Sequence, residues 1–182
     1  MSKSDIKKIG RKFRKLILDT SERLGMDTAL IEKEGVRDIL EYLRDEEKMQ
    51  YTMLRHLTCV DYMNRHPRFE VVYVLYSLAN KSQLVIKAAV SEDDTTIDSV
   101  HDLFGCANWA EREVWDMYGI TFKGHPDLRR ILMYEEFEGY PLRKDYDKQA
   151  SQPRVELRKL ERDSIEEFKT FHQQQPEQGS RT

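Results

Sequence analysis

Residues 111 to 133, EREVWDMYGITFKGHPDLRRILM, hold the densest set of side chains able to do chemistry. Glu111, Glu113, Asp116, His125 and Asp127 are of the types that move protons or ligate metals, whereas Trp115, Tyr118, Phe122 and Leu132 are of the types that make contacts. General acid–base work needs carboxyls that face a pocket and titrate away from their usual range. Three acids between Glu111 and Asp116 are spread around a helix, which is the pattern of solvated or paired side chains. A metal site at His125 lacks a His or Cys companion at ligand spacing, and His101 lies too far along the chain to form a motif with it. Trp109, Trp115 and Tyr118 suit a core or an interface better than base stacking.

Composition narrows the choice. The chain has 182 residues, enough for one domain with a real core plus extensions. Its 30 basic and 33 acidic residues leave a formal charge of -3, and nothing in that balance calls for nucleic acid or an acidic substrate. Two cysteines, Cys59 and Cys106, exclude a disulfide framework and a four-thiolate iron–sulfur cluster held by this chain alone. Both are simplest as buried apolar side chains in a reducing compartment. The start, MSKSDIKKIGRKFRK, lacks a signal peptide's apolar run, and no stretch approaches the ~20 apolar residues of a membrane span, so a soluble, cytoplasmic chain is expected.

The elements that would position these residues follow from periodicity. Residues 5 to 24 read as a basic amphipathic helix with Ile6, Ile9, Phe13, Leu16 and Ile17 near one face, ended at Gly25; it would dock on a partner, lie on an anionic membrane, or remain a solvated end. Val36, Ile39, Leu40 and Leu43 predict a helix over residues 35 to 47. Strands are expected at Met53 to Val60, Phe69 to Leu78 and residues 82 to 90, the last two a hairpin turned at Asn80-Lys81. IDSVHDLF reads as a short helix stopped at Gly105. A longer helix from about Trp109 carries an Asn108/Glu111 capping box, the stripe Ala110, Val114, Met117, an Arg112–Asp116 pair and a left-handed cap at Gly119.

From Ile120 to Lys148 no period holds, yet Phe122, Leu128, Ile131, Leu132, Met133, Tyr134, Phe137, Tyr140 and Leu142 keep arriving. An irregular strap this apolar must cover either its own domain or another protein. The expected fold class is α+β: a small, mostly antiparallel sheet covered by helices, with an extended irregular C-terminal strap and a tail helix. Its parts are an N-terminal extension (1–34), a core domain (35–118), the strap (119–150) and a helical, then frayed, tail (151–182).

The stretch NWAEREVWDMYGITFKGHPDLRRILMYEEFEGYPLRKDY, residues 108 to 146, resembles the signature of the C subunit of NADH:quinone oxidoreductase, respiratory complex I. The likeness runs through ERE, DMYGI, GHPDLRRILM and PLRKDY in order, and VDYMNRHPRFEVVYVLYSL and LVIKAAV resemble the family's sheet. Gly105 and Tyr134 stand where many members have Pro. The resemblance implies a non-catalytic, hydrophilic peripheral-arm subunit of a proton-pumping complex, at the cytoplasmic face of the inner membrane, scaffolding the quinone-site subunit and the iron–sulfur relay. An equivalent subunit of a membrane-bound hydrogenase or another quinone-linked dehydrogenase is the alternative. It implies no cofactor in this chain, with NADH, FMN, iron–sulfur clusters and quinone in neighbouring subunits. It also implies partner contacts from Glu111, Arg112, Glu113, Asp116, Tyr118, Gly119 and Phe122. The contact set continues with Gly124, His125, Pro126, Asp127, Leu128, Arg129 and Arg130. Further along the strap it takes in Pro141, Leu142, Arg143, Lys144, Asp145 and Tyr146.

Overall fold

The computed structural model describes residues 2–23, 25–149 and 151–155. Met1–Gln152 form one compact unit and Pro153–Thr182 a second, of which three residues are described. The helix expected in the tail lies outside the described residues.

A five-stranded mixed sheet carries the fold, with order β1-β2-β5-β4-β3. The expected strands form β3 (Met53–Asp61), β4 (Phe69–Ser77) and β5 (Ser82–Val90), all joined antiparallel. The β4–β5 turn places Lys81 at φ 49, the left-handed conformation a tight hairpin requires. Strand register lines Ala29, Ile86, Tyr73 and Leu57 across four strands, and Ile31, Ala88, Val71 and Cys59 beside them. All eight are buried. The opposite face presents Leu30, Lys87, Val72 and Thr58, each only half-buried. One face is therefore packed and the other half wet, as an antiparallel sheet under one helical layer should be.

Two of the five strands of this sheet were not foreseen. The helix expected over residues 5 to 24 stops early: α1 spans Ser2–Lys12, and the chain then forms β1 (Ile17–Arg23) and β2 (Met26–Glu32), a hairpin turned near Gly25 at φ 75. Ala29 and Ile31 alternate into the core, and β2 pairs in parallel with β5. Burying that alternating pair beside β5 outweighs the helical spacing of the residues before it. Helix α1 keeps its apolar side inward, with Ile9 fully buried and Asp5 accepting a hydrogen bond from Tyr51 Oη at 3.2 Å.

Helix α2 (Val36–Asp45) buries Val36, Ile39, Leu40 and Leu43, the stripe its spacing predicts. The short helix expected in IDSVHDLF is instead β6 (Thr96–Asp98), paired in parallel with β7 (Thr121–Lys123), followed by a turn. Ile97 and Phe122 enter the core side by side in that register, and the Ser99 N–H donates to Lys123 O at 2.8 Å. Between them lies α3 (Ala107–Tyr118), packed on β3.

Candidate functional site

Helix α3 is the spine of the site. Val114 and Met117 face the sheet, and the helix ends at Gly119 in the left-handed conformation, φ 74. Its N-terminus differs from expectation: the helix starts at Ala107 after Cys106 with no side-chain cap, and Glu111 is not part of a capping box. Nor do Arg112 and Asp116 pair with each other. Both reach across to the strap, because that is where unpaired backbone groups must be satisfied.

Asp116 is fully buried and binds the strap at four points. One carboxylate oxygen accepts the Arg130 guanidinium at 2.6 Å; the other accepts the N–H groups of Ile131, Leu132 and Met133 at 3.1, 2.8 and 2.9 Å. Burial by itself raises the Asp116 pKa, but those N–H groups and Arg130 outweigh it and hold the carboxyl below its usual value. Arg130 passes the connection on, donating to Phe137 O at 2.8 Å and Gly139 O at 3.3 Å. Arg112 donates to Arg129 O at 3.1 Å and Arg130 O at 3.0 Å. Irregular backbone that cannot pair with itself is thus pinned by two ionised side chains of one helix.

A second clamp holds the strap's far end. Asp61, at the end of β3, accepts Arg68 through both oxygens at 2.9 and 2.8 Å, and also the N–H groups of Met63 and Lys144, each at 2.8 Å. The Arg68 pair lowers the Asp61 pKa well below the carboxylate range against the opposing effect of burial, with both N–H groups assisting. Arg68 also binds Glu92 and, at 2.7 Å, Asp145. Arg143 donates to Tyr118 O at 2.6 Å and the Leu142 N–H to Met117 O at 3.1 Å, so the strap caps the free carbonyls of α3. A Cβ on Gly119 would stand 2.5 Å from the Tyr140 ring, so glycine is required there by both φ and space.

Glu111 lies on the same helix and is also fully buried, but no cation among the described residues meets it. It accepts the Ser99 hydroxyl and the Val100 N–H, the latter at 2.8 Å. Burial pushes its pKa up to about 7, and the two hydrogen bonds offset only part of that. The Ser99 hydroxyl also meets His101 Nδ1 at 3.1 Å, and the His101 ring packs 5.8 Å from that of His125. Chain distance separated these histidines in sequence; the parallel β6–β7 pair brings them together. Both nitrogens of His125 are occupied, Nε2–H donating to Asn108 O at 3.0 Å and Nδ1 accepting the Asp127 N–H at 3.1 Å. Among the described residues no group of three or more His, Cys, Asp or Glu is placed to hold a metal.

The candidate residues therefore divide by direction. Glu111, Arg112, Asp116, Gly119 and Phe122 are buried, and Tyr118, His125, Leu128, Arg130, Pro141, Arg143 and Tyr146 are half-buried. Glu113, Gly124, Pro126, Asp127, Arg129, Leu142, Lys144 and Asp145 face solvent. Trp109, 62% exposed with the Arg112 guanidinium 5.1 Å from its ring centre, and Leu132, 58% exposed, extend that outer surface. Cys59 is buried as expected, whereas Cys106 is exposed at the start of α3, its thiol 3.4 Å from Leu54 O. Asp61, Arg68 and Ser99 were not among the candidates. The available signal was an acid and a base bracketing the connection between two strands, VDYMNRHPRF.

These features define a small α+β body with an irregular strap clipped to it by buried charge, and known proteins resemble the chain in sequence and fold. The family described as Respiratory-chain NADH dehydrogenase, 30 Kd subunit, matches residues 29–152, and the chain belongs to that family. The C subunit of NADH-quinone oxidoreductase from Geotalea uraniireducens is 46% identical over 143 residues, 79% of this chain and 86% of that one. The protein of the same name from Geobacter sulfurreducens is 47% identical over 144 residues, 79% and 88% of the two chains. A trypsin-resistant fragment of Nqo5 superposes with a TM-score of 0.61 at 30% identity, covering 70% of this chain and all of the fragment. A chain of the membrane-bound sulfane sulfur reductase, an archaeal respiratory membrane complex, shares the fold at a TM-score of 0.67 and 18% identity, over 100% of this chain and 99% of that one.

Proposed function

We propose that this chain is a non-catalytic subunit of the peripheral arm of a proton-pumping NADH:quinone oxidoreductase, seated at the cytoplasmic face of the membrane. There it fixes the subunit that carries the quinone site and the neighbouring iron–sulfur subunits in one geometry. NADH, FMN, the clusters and quinone are held by those neighbours, and this chain holds no cofactor. One observation carries the reading. Arg112, Asp116 and Arg130 are spent on shaping the strap, while Leu132 and Leu142 of the strap and Trp109 of the helix are left exposed.

A pre-shaped surface lowers the ordering cost of association, and Trp and Arg at its centre are the residue types that dominate binding energy. Asp116 and Arg130 act on assembly through shape, whereas Arg129, Asp127 and Lys144 meet the partner directly. Because His125 has both nitrogens engaged within the chain, its part is to fix the turn at Pro126.

Affinity purification of the full chain from membranes in mild detergent tests this reading. The expected result is recovery with other subunits, with flavin and iron in the assembly and neither in the isolated chain. Recovery alone, or one flavin or cluster per isolated chain, overturns it.

A further inference from the structure

Helix α1 and the turn after it lie outside the residues that the family matches, so family membership assigns them nothing. From Lys7 to Lys15 six of nine residues are basic and none is acidic. The structure accounts for two of the six. Lys8 pairs with Asp5 at 3.2 Å, and the Lys12 ammonium lies 3.6 Å from the centre of the Tyr42 ring. Lys7, Arg11, Arg14 and Lys15 are exposed and have no hydrogen-bond or ion-pair partner among the described residues.

Elsewhere in the body Lys33, Arg37, Arg44, Arg65, Arg68 and Lys87 each meet a carboxylate, while exposed cations without one among the described residues, such as Lys48, Lys81 and Lys123, stand singly along the chain rather than in a cluster. The four cations also do not sit on a loose end. Ile9 is fully buried, Phe13 and Leu16 pack against the core, and Asp5 accepts from Tyr51. Clustered like charge on an anchored element costs stability by self-repulsion unless opposite charge is brought to it. A helix that lies on lipid inserts its apolar side among the headgroups. Here that side is already used on the chain's own sheet, which leaves charge alone to act.

We infer that Lys7, Arg11, Arg14 and Lys15 form a second docking surface, separate from the strap, for a carboxylate-rich segment of another protein subunit. The inference rests on the assembly reading above and adds to it the chemistry of one more partner contact. Held on α1 and the turn that follows it, four exposed cations within nine residues offer a concentration of charge that a run of Asp and Glu can match, and rim charges of this kind set encounter and orientation more than tight affinity.

Carbodiimide coupling of the purified complex tests it, since the reagent joins a lysine amine to a carboxylate only where the two are in contact. Lys7 or Lys15 should be recovered by mass spectrometry linked to an Asp or Glu of another subunit. Replacing Arg11→Glu together with Arg14→Glu should lower that yield by on the order of tenfold at low ionic strength. Wild-type coupling should be lost likewise near 1 M salt, where the screening length is about 3 Å. If Lys7 and Lys15 stay uncoupled in an intact complex, and are acetylated equally fast there and in the free chain, the cluster is only solvated and the inference fails while the assembly reading stands. Protection of the two lysines by phosphatidylserine vesicles, but not by the complex, assigns the cluster to lipid and also overturns it. A chain that co-purifies with no other subunit removes both.

Discussion

The sheet and the strap are ordered by different means. In the sheet, rows such as Ala29, Ile86, Tyr73 and Leu57 are buried by register, and order follows from apolar area removed from water. Along the strap, from Gly124 to Gln149, no described residue is fully buried, and order comes from side chains outside it: Asp116 and Arg112 at one end, Asp61 and Arg68 at the other. A region held by area fails gradually as contacts are trimmed. A region held by a few buried charges fails when one of them is removed.

The contrast is broken most directly at Asp116. Asp116→Ala leaves Arg130 and three N–H groups without their acceptor. Loss of one partner of a buried ion pair costs about 3–5 kcal/mol. Denaturant melts should show that loss, and trypsin should cut rapidly after Arg129 and Arg130 under native conditions. Leu75→Ala, in the centre of β4, should cost about 2–5 kcal/mol yet leave the strap as protease-resistant as in the wild type. Equal protease sensitivity in the two variants would mean that strap and sheet are one cooperative unit.

Glu111 and Asp116 sharpen the comparison through pH. Both are fully buried on α3 but carry opposite shifts. The Asp116 pKa is lowered on folding, so its contribution is present at neutral pH and is lost as pH falls through that lowered value. For Glu111 the folded pKa is raised from 4.5 to about 7, so the folded chain keeps a proton that the unfolded chain releases. Stability from this group therefore falls as pH rises from about 4.5 to 7 and is level above. Glu111→Gln should abolish that slope, leaving the variant favoured relative to wild type at pH 8 by up to about 3 kcal/mol compared with pH 4. An unchanged slope would place the titration elsewhere. Where the strap's far end packs on the end of α3, Gly119→Ala forces a side chain into φ 74 and against Tyr140, at a cost of about 1–3 kcal/mol that should also speed proteolysis near Arg143.

How much of this was legible follows the same division. The hairpin of β4 and β5, the apolar stripe of α2 and the Gly119 cap are local patterns, and each stands where periodicity and turn chemistry put it. β1 and β2 were hidden because a basic run at helical spacing precedes them, and β6 because its partner β7 follows a whole helix later. The strap was readable as irregular and apolar but not as anchored. Asp116 has Arg112 at helical spacing, and local reasoning pairs them; only tertiary structure could replace that neighbour with Arg130 and three N–H groups. Burial of Glu111 without a cation had no local signal, since its partners Ser99 and Val100 are reached across the β6 turn.

The smallest effect on folding separates the strap's two sides. Arg129 lies next to Arg130 in sequence, but its side chain is 69% exposed and, among the described residues, pairs with Asp127 at 2.9 Å, itself exposed. Exposed pairs of this kind add little, so Arg129→Ala should change unfolding free energy by no more than about 0.5 kcal/mol. Leu132→Ser, on the same outer side, should be similarly mild, because its backbone N–H to Asp116 is kept and its side chain is 58% exposed. If the outer side is the contact surface, both variants fold normally and still lower the fraction of chain found in the assembled complex on a native gel. Buried in a partner, Arg129 would leave an unpaired charge opposite it when truncated, at a cost of about 2–5 kcal/mol. Asp116→Ala should lose assembly as well, but together with stability, and the two outer variants would lose it alone. Full assembly of Arg129→Ala and Leu132→Ser would show that the strap serves its own domain and that the partner binds elsewhere.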